Sequence, residues 1–275
     1  MSDAPGLGFT LPRGAVMGIL NVTPDSFSDG GQHFNLRDAI AHGRRMVVEG
    51  ATIIDVGGES TRPGAKVVPP DEEAERVVPV IASLRELDVI ISVDTRNPTV
   101  ARAALQAGAR LVNDVTGLSD PAMRAVCAEL GAPAVIMHSR TAPGAMGYSR
   151  EAVLFTDVVT EVRDELRAAA QLALRDGVPG VLLDPGFGFG KSAAQNLALV
   201  RHLDKISALG FPVVLGASRK STVGRYAGVD TPQDRDAASL AVHLFGLARG
   251  ASVLRAHDVA GQVQAVRLWL ALEAE

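Results

Sequence analysis

The chain has 275 residues, of which 47% are hydrophobic and 21% are charged, values typical of a folded globular protein. Its 27 basic and 31 acidic residues give a net charge of −4, which argues against nucleic acid or an anionic membrane as a partner. A single cysteine, Cys127, excludes an intrachain disulfide and a cysteine-based zinc site.

The sequence shows no targeting or membrane-spanning segment. Its first residues lack the basic and apolar regions of a secretory signal, and no apolar run approaches the ~20 residues that cross a bilayer. Low cysteine usage also suits a reducing compartment. We therefore expect a cytoplasmic protein.

Short apolar runs recur along the chain, and each ends in polar residues. Continuous Val, Ile and Leu runs of this kind are typical of parallel strands that are buried on both faces. The predicted strands comprise residues 15–23, 52–58, 89–95, 111–115, 134–139, 181–186, 213–218 and 252–257.

Stretches with helical periodicity separate these strands. Within residues 151–177, apolar residues recur at every fourth position from Leu154 to Leu166, and Gly177 stands where a C-cap is expected. Eight such βα units without a break in composition predict one α/β domain over residues 1–275, a TIM (β/α)8 barrel. A doubly wound open sheet is the rival, but eight units with none left over favour the barrel. The other main helical stretches are residues 71–87, 120–131, 192–210 and 258–270.

Nearly every predicted strand ends in residues that form hydrogen bonds. In a TIM barrel these ends meet at one mouth, where such enzymes place their chemistry. One buried Asp or Asn could equally pair with backbone in the rim, but so many at equivalent positions predict a site, because unpaired buried polar groups are costly. The residues are Asn21, Asp55, Asp94, Asn113, His138, Asp184, Ser218 with Arg219 and Lys220, then Arg255 and His257.

The predicted mouth divides by charge. The first six strands supply acids and amides, whereas the last two supply the cations Arg219, Lys220, Arg255 and His257. Strands 7 and 8 of such barrels commonly bind phosphate. We therefore expect a ligand with an anionic end and a guanidine-like edge, whose N–H donors would face Asp94, Asn113 and Asp184.

Two glycine-rich segments follow strands. Residues 184–191 (DPGFGFGK) match neither the dinucleotide-binding nor the P-loop spacing, so a tight turn is the better interpretation. Residues 25–31 are long and polar and suit a mobile lid over the mouth. Cys127 is interpreted as core packing, and His33, His42, His202 and His243 as surface or helix residues without ligand spacing.

Residues 17–31 (MGILNVTPDSFSDGG) and 55–65 (DVGGESTRPGA) closely resemble the two signature segments of the dihydropteroate synthase family. The resemblance continues in order through SVDT, ND, DPGFGFGK, SRKS and RAHDV, and it spans essentially the whole chain. It implies an enzyme of folate biosynthesis that condenses 6-hydroxymethyl-7,8-dihydropterin diphosphate with p-aminobenzoate, giving 7,8-dihydropteroate and diphosphate. It also implies a homodimer formed through helices away from the mouth, and a target for sulfonamides.

The resemblance assigns roles to particular residues. Catalysis would rest on Asp94, Lys220, Arg255 and His257, with Mg2+ bound through Asn21. The pterin would be held by Asp94, Asn113, Asp184 and Lys220, in a pocket lined by Asp55 and Met137. The diphosphate would lie against Thr61, Arg255 and His257. The p-aminobenzoate would lie among Arg62, Pro63, Phe189, Ser218 and Ser221, with Asp25 and Phe27 arriving on the first loop.

This chain departs from the family pattern near the pocket. Ser139 and Thr141 do not fit the usual MHMxGxPxxM, and Thr222 follows SRKS where a bulky apolar residue is more usual. We expect these changes to affect pocket shape and sulfonamide affinity more than activity. Two alternatives remain: a pterin-binding barrel that passes a methyl group from a methyl-tetrahydrofolate to a corrinoid protein, and a non-catalytic paralogue.

Overall fold

The computed structural model describes residues 6–23, 36–59, 67–141 and 155–274. Within these ranges, eight strands alternate with helices along the chain. The strands are β1 (Ala15–Asn21), β2 (Ile53–Gly57), β3 (Ile90–Asp94), β4 (Leu111–Asp114), β5 (Ala134–Met137), β6 (Val181–Asp184), β7 (Val214–Leu215) and β8 (Val253–Ala256).

All eight described strands form one parallel sheet in the order β6-β5-β4-β3-β2-β1-β8-β7. A parallel bridge between Leu183 and Val213 joins β6 to the start of β7 and closes the sheet on itself. The predicted (β/α)8 barrel is therefore confirmed, and the open-sheet alternative is excluded.

The helices surround this barrel, and in the described part of the chain none of them is long and apolar enough to cross a membrane. They are α1 (Leu36–Glu49), α2 (Pro70–Leu84), α3 (Pro98–Ala107), α4 (Pro121–Glu129), α5 (Val158–Arg175), α6 (Ala193–Arg201), α7 (Asp204–Ser207), α8 (Ser221–Ala227), α9 (Asp236–Ala248) and α10 (Val259–Glu273).

Three predicted elements differ most from the structure, while the predicted helices 71–87 and 258–270 differ by three residues at their C-terminal ends. The helix expected over residues 151–177 begins at Val158, because the Asp157 side chain caps the first turn. The helix expected over residues 192–210 is two helices, since the chain turns at the buried Leu203. The remaining predicted strands agree with the structure to within two residues at each end.

The third difference is β7, which has two residues where the sequence predicted 213–218. The ladder ends early because the Ala217 N–H donates to Nε2 of His243 at 3.1 Å instead of to a neighbouring strand. His243 lies on α9, as expected of a helix residue, but it is wholly buried and its Nδ1 lies 2.6 Å from Oε1 of Gln262.

Side-chain alternation along the strands produces two apolar layers. On β2, Ile54 and Val56 pack toward the helices in the larger core cluster, whereas Ile53 packs inside the barrel. The inner cluster is closed at its lower end by Leu7 and Leu11, which precede β1. The lower part of the barrel interior is therefore apolar. The inward-facing residues two positions further along each strand form the layer above it, at the carboxyl end of the barrel.

We predict that Leu11→Ala destabilises the fold by about 2–5 kcal/mol, because a cavity opens where the side chain closed the barrel. Leu11 is only 1% exposed, whereas Leu272 on α10 is 77% exposed and provides a matched control. Urea denaturation measures both variants. The Leu272→Ala variant should stay within about 0.5 kcal/mol of wild type, and an equal loss in both would contradict the inner plug.

Candidate active site

The predicted strand-end residues meet at the carboxyl end of the barrel. The register of β3 and β4 pairs Asp94 with Asn113, and the register of β5 and β6 pairs Met137 with Asp184. Asp55 lies two residues beyond the inward-facing Ile53, so its side chain also points into the barrel. The structure thus brings these acids and amides together, as the sequence predicted.

Arg255 connects two of the acids. Its Nε donates to Oδ2 of Asp55 at 2.7 Å, and its Nη2 donates to Oδ2 of Asp94 at 2.7 Å. The amide of Asn113 also donates to Oδ2 of Asp55, at 2.8 Å. Among the described residues, the second Asp55 oxygen, Oδ1, is buried and has no hydrogen-bond partner. An unpaired buried acceptor of this kind suits an N–H donor of a ligand.

This pairing corrects the expected division of the mouth by charge. The sequence grouped Arg255 with the cations of the last two strands, away from the acids of β2 and β3. In the barrel, β8 lies beside β1 and β1 lies beside β2, so the Arg255 guanidinium is within hydrogen-bonding distance of both carboxylates.

Two acids of the mouth, Asp94 and Asp184, have raised pKa values. Burial raises the pKa of Asp94 to about 7, with a further increase from the Asp55 charge and opposition from Arg255. Burial also raises the pKa of Asp184, against the lowering effect of Lys220. The Oδ1 atom of Asp184 accepts a hydrogen bond from the Gly186 N–H at 2.7 Å.

Lys220 lies between the acids and an aromatic ring. Its Nζ donates to the Phe187 carbonyl and lies 4.3 Å from the centroid of the Phe189 ring, a cation–π distance. Burial lowers the pKa of Lys220 to about 8, against the opposing charge of Asp184. The Phe189 side chain also packs with Val115 and Met137 at the mouth.

Ser218 and His257 form a hydrogen-bonded pair across β7 and β8. The Ser218 Oγ accepts from the backbone N–H of His257 at 3.2 Å and lies 2.9 Å from Nδ1 of its ring. A hydroxyl has one proton to donate, so donation to Nδ1 would leave the ring proton of a neutral imidazole on Nε2. Ser218 therefore orients the ring of His257, the residue that the resemblance assigns to the diphosphate.

The glycine-rich segment is a tight turn, as predicted. Gly186, Gly188 and Gly190 have positive φ angles of 67°, 84° and 62°, which favour glycine. A side chain at Gly186 would also collide with the His138 carbonyl oxygen, since an added Cβ would lie 1.9 Å from it. The turn carries Phe189 to the mouth.

Lys191 was not assigned to the site from the sequence, yet it holds this turn from inside. Its buried Nζ donates to the carbonyls of His138, Gly186 and Phe189 at 3.1–3.2 Å. Burial lowers the pKa of Lys191 to about 7. The signal in the sequence was its place between GxGxG and Ser192, the residue that caps α6.

Two residues expected at the mouth are engaged elsewhere. Arg219 has a positive φ of 58° and forms two hydrogen bonds of 2.7 Å to the Asp236 carboxylate at the start of α9, so the prediction of a cation facing the ligand is wrong for it. His138 pairs through Nε2 with Glu165 on α5 at 3.0 Å. Burial lowers the pKa of His138 to about 4.

The remaining assigned residues fall into three groups. Asn21 is half-buried at the end of β1, and Ser221 is exposed at the start of α8. The divergent Ser139 and Thr141 form a 2.9 Å hydroxyl contact, and the Thr141 methyl group packs against Gly190. Asp25, Phe27, Thr61, Arg62, Pro63 and the predicted lid lie outside the described residues.

Together, the barrel and its mouth define an enzyme class, a pterin-binding (β/α)8 barrel, and comparison with known proteins agrees. The family model "Pterin binding enzyme" matches residues 17–257. A dihydropteroate synthase from Streptococcus pyogenes serotype M6 is 46% identical over 250 residues, covering 89% of this chain and 90% of that protein. The chain belongs to the dihydropteroate synthase family.

A longer relative shares this unit. The probable bifunctional folylpolyglutamate synthase/dihydropteroate synthase of Haloferax volcanii is 51% identical over 259 residues. That alignment covers 94% of this chain but only 30% of the relative. The chain therefore corresponds to less than a third of that bifunctional protein.

Solved structures match along the same length. The Xanthomonas albilineans dihydropteroate synthase with 4-aminobenzoic acid superposes with a TM-score of 0.92 at 45% identity and covers 100% of both chains. The Thermus thermophilus dihydropteroate synthase in complex with 6HMPPP superposes with a TM-score of 0.83 at 45% identity and covers 96% of both chains.

We predict that the stability cost of Asp94 depends on pH. Its folded pKa of about 7 exceeds its ordinary value, so the folded state keeps a proton that the unfolded state releases, and wild-type stability falls as pH rises from about 4 to about 7. Asp94→Asn removes this penalty. Its Tm relative to wild type should therefore rise across that range and level off above pH 7.

Thermal melting from pH 4 to 8 measures this difference. The exposed Asp88 provides a control, because Asp88→Asn removes a carboxyl from the surface instead of from the mouth. A Tm difference for Asp94→Asn that stays constant with pH, or narrows as pH rises, would contradict the raised pKa.

Proposed function

We propose that this chain is a dihydropteroate synthase, a transferase that condenses 6-hydroxymethyl-7,8-dihydropterin diphosphate with p-aminobenzoate. The observation that carries this function is the buried acid layer: Asp55, Asp94 and Asp184 are set beside Lys220 and Arg255 at one mouth. The family match and the substrates named for the related structures support the same reaction.

The acid layer suits the pterin ring. Adjacent N–H donors of its guanidine-like edge match carboxylate and amide oxygens at Asp94, Asn113 and Asp184. The unpaired Oδ1 of Asp55 offers a further acceptor. A carboxylate at Asp94 also favours the positive charge that develops on the pterin as the leaving group departs. The family resemblance assigns the same residues to the pterin.

The cationic side of the mouth suits the diphosphate. With its ring oriented by Ser218, His257 can donate a hydrogen bond from Nε2–H to an oxygen of the leaving group. Arg255 pairs with the two acids, and the family resemblance also assigns it to the diphosphate. Thr61, which lies outside the described residues, is assigned to the diphosphate by the family resemblance.

Asn21 fits a magnesium site to which the protein contributes only one or two oxygen ligands. Its amide oxygen is a hard donor on a half-buried residue at the end of β1, two residues along from Ile19, the register partner of Asp55. Mg2+ commonly takes one or two protein oxygens and completes its shell with water and substrate phosphate. When bound, the ion would neutralise charge on the departing diphosphate.

The reaction needs no strong base. The carbon–oxygen bond breaks first and its electron pair leaves with diphosphate, and the amine nitrogen of p-aminobenzoate then bonds to the cationic pterin methylene carbon. The amine nitrogen finally loses a proton to solvent. Because the slow event is loss of diphosphate, we infer a dissociative substitution without a covalent enzyme intermediate. Residues at the mouth supply electrostatic stabilisation rather than a nucleophile.

The p-aminobenzoate subsite would lie above the pterin. Phe189 offers a ring face on the turn after β6, and Ser218 and Ser221 lie at the end of β7 and the start of α8. The resemblance adds Arg62 and Pro63. Sulfonamides that mimic p-aminobenzoate would compete for this subsite.

We also propose a cytoplasmic homodimer that pairs through helices away from the mouth.

Diphosphate release tests the function directly. With the pterin diphosphate and Mg2+, we predict release that depends on p-aminobenzoate and falls at least about 100-fold in Lys220→Ala, because removing one electrostatic stabiliser of a transition state typically costs about 10²–10³ in kcat. Arg249→Ala, which removes a cation beside Phe245 on α9, should retain activity.

The other outcomes separate the alternatives. Release without p-aminobenzoate would indicate a barrel that ionises the pterin but has lost its second substrate. Pterin binding without release would favour the non-catalytic paralogue. Methyl transfer from a methyl-tetrahydrofolate to a corrinoid protein, without diphosphate release, would favour the methyltransferase.

The magnesium assignment has its own test. We predict that Asn21→Ala raises the Mg2+ concentration for half-maximal activity about tenfold or more, because even outer-shell changes cost this much at metal sites. Asn21→Asp keeps an oxygen donor and should need no more Mg2+ than wild type. An unchanged Mg2+ requirement in Asn21→Ala would contradict the assignment.

A further inference from the structure

Asn196 joins two segments of the mouth from a buried position on α6. Its Oδ1 accepts from the Gly188 N–H at 2.8 Å, inside the glycine-rich turn. Its Nδ2 donates to the Lys191 carbonyl at 3.3 Å and to Oγ1 of Thr222 on α8 at 3.0 Å. Asn196 and Thr222 are both fully buried. One amide therefore connects the turn after β6 to the helix after β7.

Both connected segments carry residues of the proposed p-aminobenzoate subsite. Gly188 immediately precedes Phe189, and Thr222 immediately follows Ser221. The acids proposed for the pterin lie instead on β2, β3 and β6, where strand pairing fixes the backbone. A change at Asn196 should therefore shift the two walls of the amine subsite more than the acid layer.

Thr222 is also a position at which the sequence departs from its family pattern. A bulky apolar residue there would have no oxygen for the Asn196 amide, so the hydroxyl gives Asn196 a partner that the usual residue lacks. Buried amides are costly when they lose partners, since each unpaired donor retains its desolvation penalty. The replacement of the usual apolar residue by Thr222 thus adds a hydrogen bond to a buried amide at the mouth.

We propose that Asn196 and Thr222 form a positioning pair for p-aminobenzoate, setting the distance between the Phe189 ring and Ser221. The proposal rests on the function proposed above and adds two residues to it. Neither residue is assigned contact with the reacting atoms. Their effect is transmitted through the backbone of the turn and the first turn of α8.

Steady-state kinetics of Thr222→Val tests the pair, because valine keeps the shape of threonine and removes its hydroxyl. We expect the KM for p-aminobenzoate to rise about fivefold, equivalent to one hydrogen bond worth about 1 kcal/mol. The KM for the pterin diphosphate should change less than about twofold. Thr222→Ser restores a hydroxyl and should restore the p-aminobenzoate KM.

A structural role alone gives a different pattern. Thr222→Val that lowers Tm and kcat while leaving both KM values unchanged would overturn the proposal, and so would an equal rise in both KM values. Wild-type protein without p-aminobenzoate-dependent release would refute the proposed function instead. The two failures are therefore distinguishable in one set of assays.

A double-mutant cycle assigns the effect to the pair. Because contacting residues are not additive, Asn196→Ala with Thr222→Val should raise the p-aminobenzoate KM no further than the larger single change. Multiplication of the two effects would show that Thr222 acts without Asn196 and would overturn the pairing. Should Asn196→Ala not fold, the comparison of Thr222→Val with Thr222→Ser still decides the proposal.

Discussion

The Arg255 guanidinium, held between Asp55 and Asp94, is the interaction on which the mouth depends. Two carboxylates set close together in a barrel interior repel one another and lose solvation, and the pKa of about 7 at Asp94 records that cost. A planar cation with a donor for each acid offsets it. The partners lie 200 and 161 residues apart in sequence, so only the closed barrel brings them together.

Much of the barrel could be predicted because its strands are short, continuous apolar runs, as expected of parallel strands buried on both faces. Buried apolar runs ending in Asp or Asn indicated both the strands and the residues at their ends. The pattern could not predict which side chains meet across the closed barrel, where Arg255 of β8 contacts acids of β2 and β3. Nor could it show that β7 stops after two residues, because the contact of the Ala217 N–H with His243 joins the strand end to a helix 26 residues further along the chain.

The residues that sequence reasoning missed share one property: they act on backbone atoms. Lys191 binds three carbonyls, and Asn196 binds one N–H and one carbonyl of the same turn. No spacing rule announces such contacts, because the partners depend on how the turn folds. Arg219 is the converse case. It sits between two residues of the mouth in sequence, but its positive φ directs it to Asp236. Strand pairing thus holds the mouth where the strands end, and side-chain hydrogen bonds hold it where the turns begin.

Leu7 and Leu11 close the lower end of the barrel, and this closure affects the order in which ligands bind. Among the described residues the barrel is closed at this lower end, so a ligand that binds deep in the mouth must enter before a ligand that sits above it. The acids on the strands lie deepest in the mouth, and Phe189 and Ser221 lie on the segments that follow the strands. On the subsites proposed above, the pterin would therefore bind first and p-aminobenzoate second, and the product would leave through the mouth by which both substrates entered.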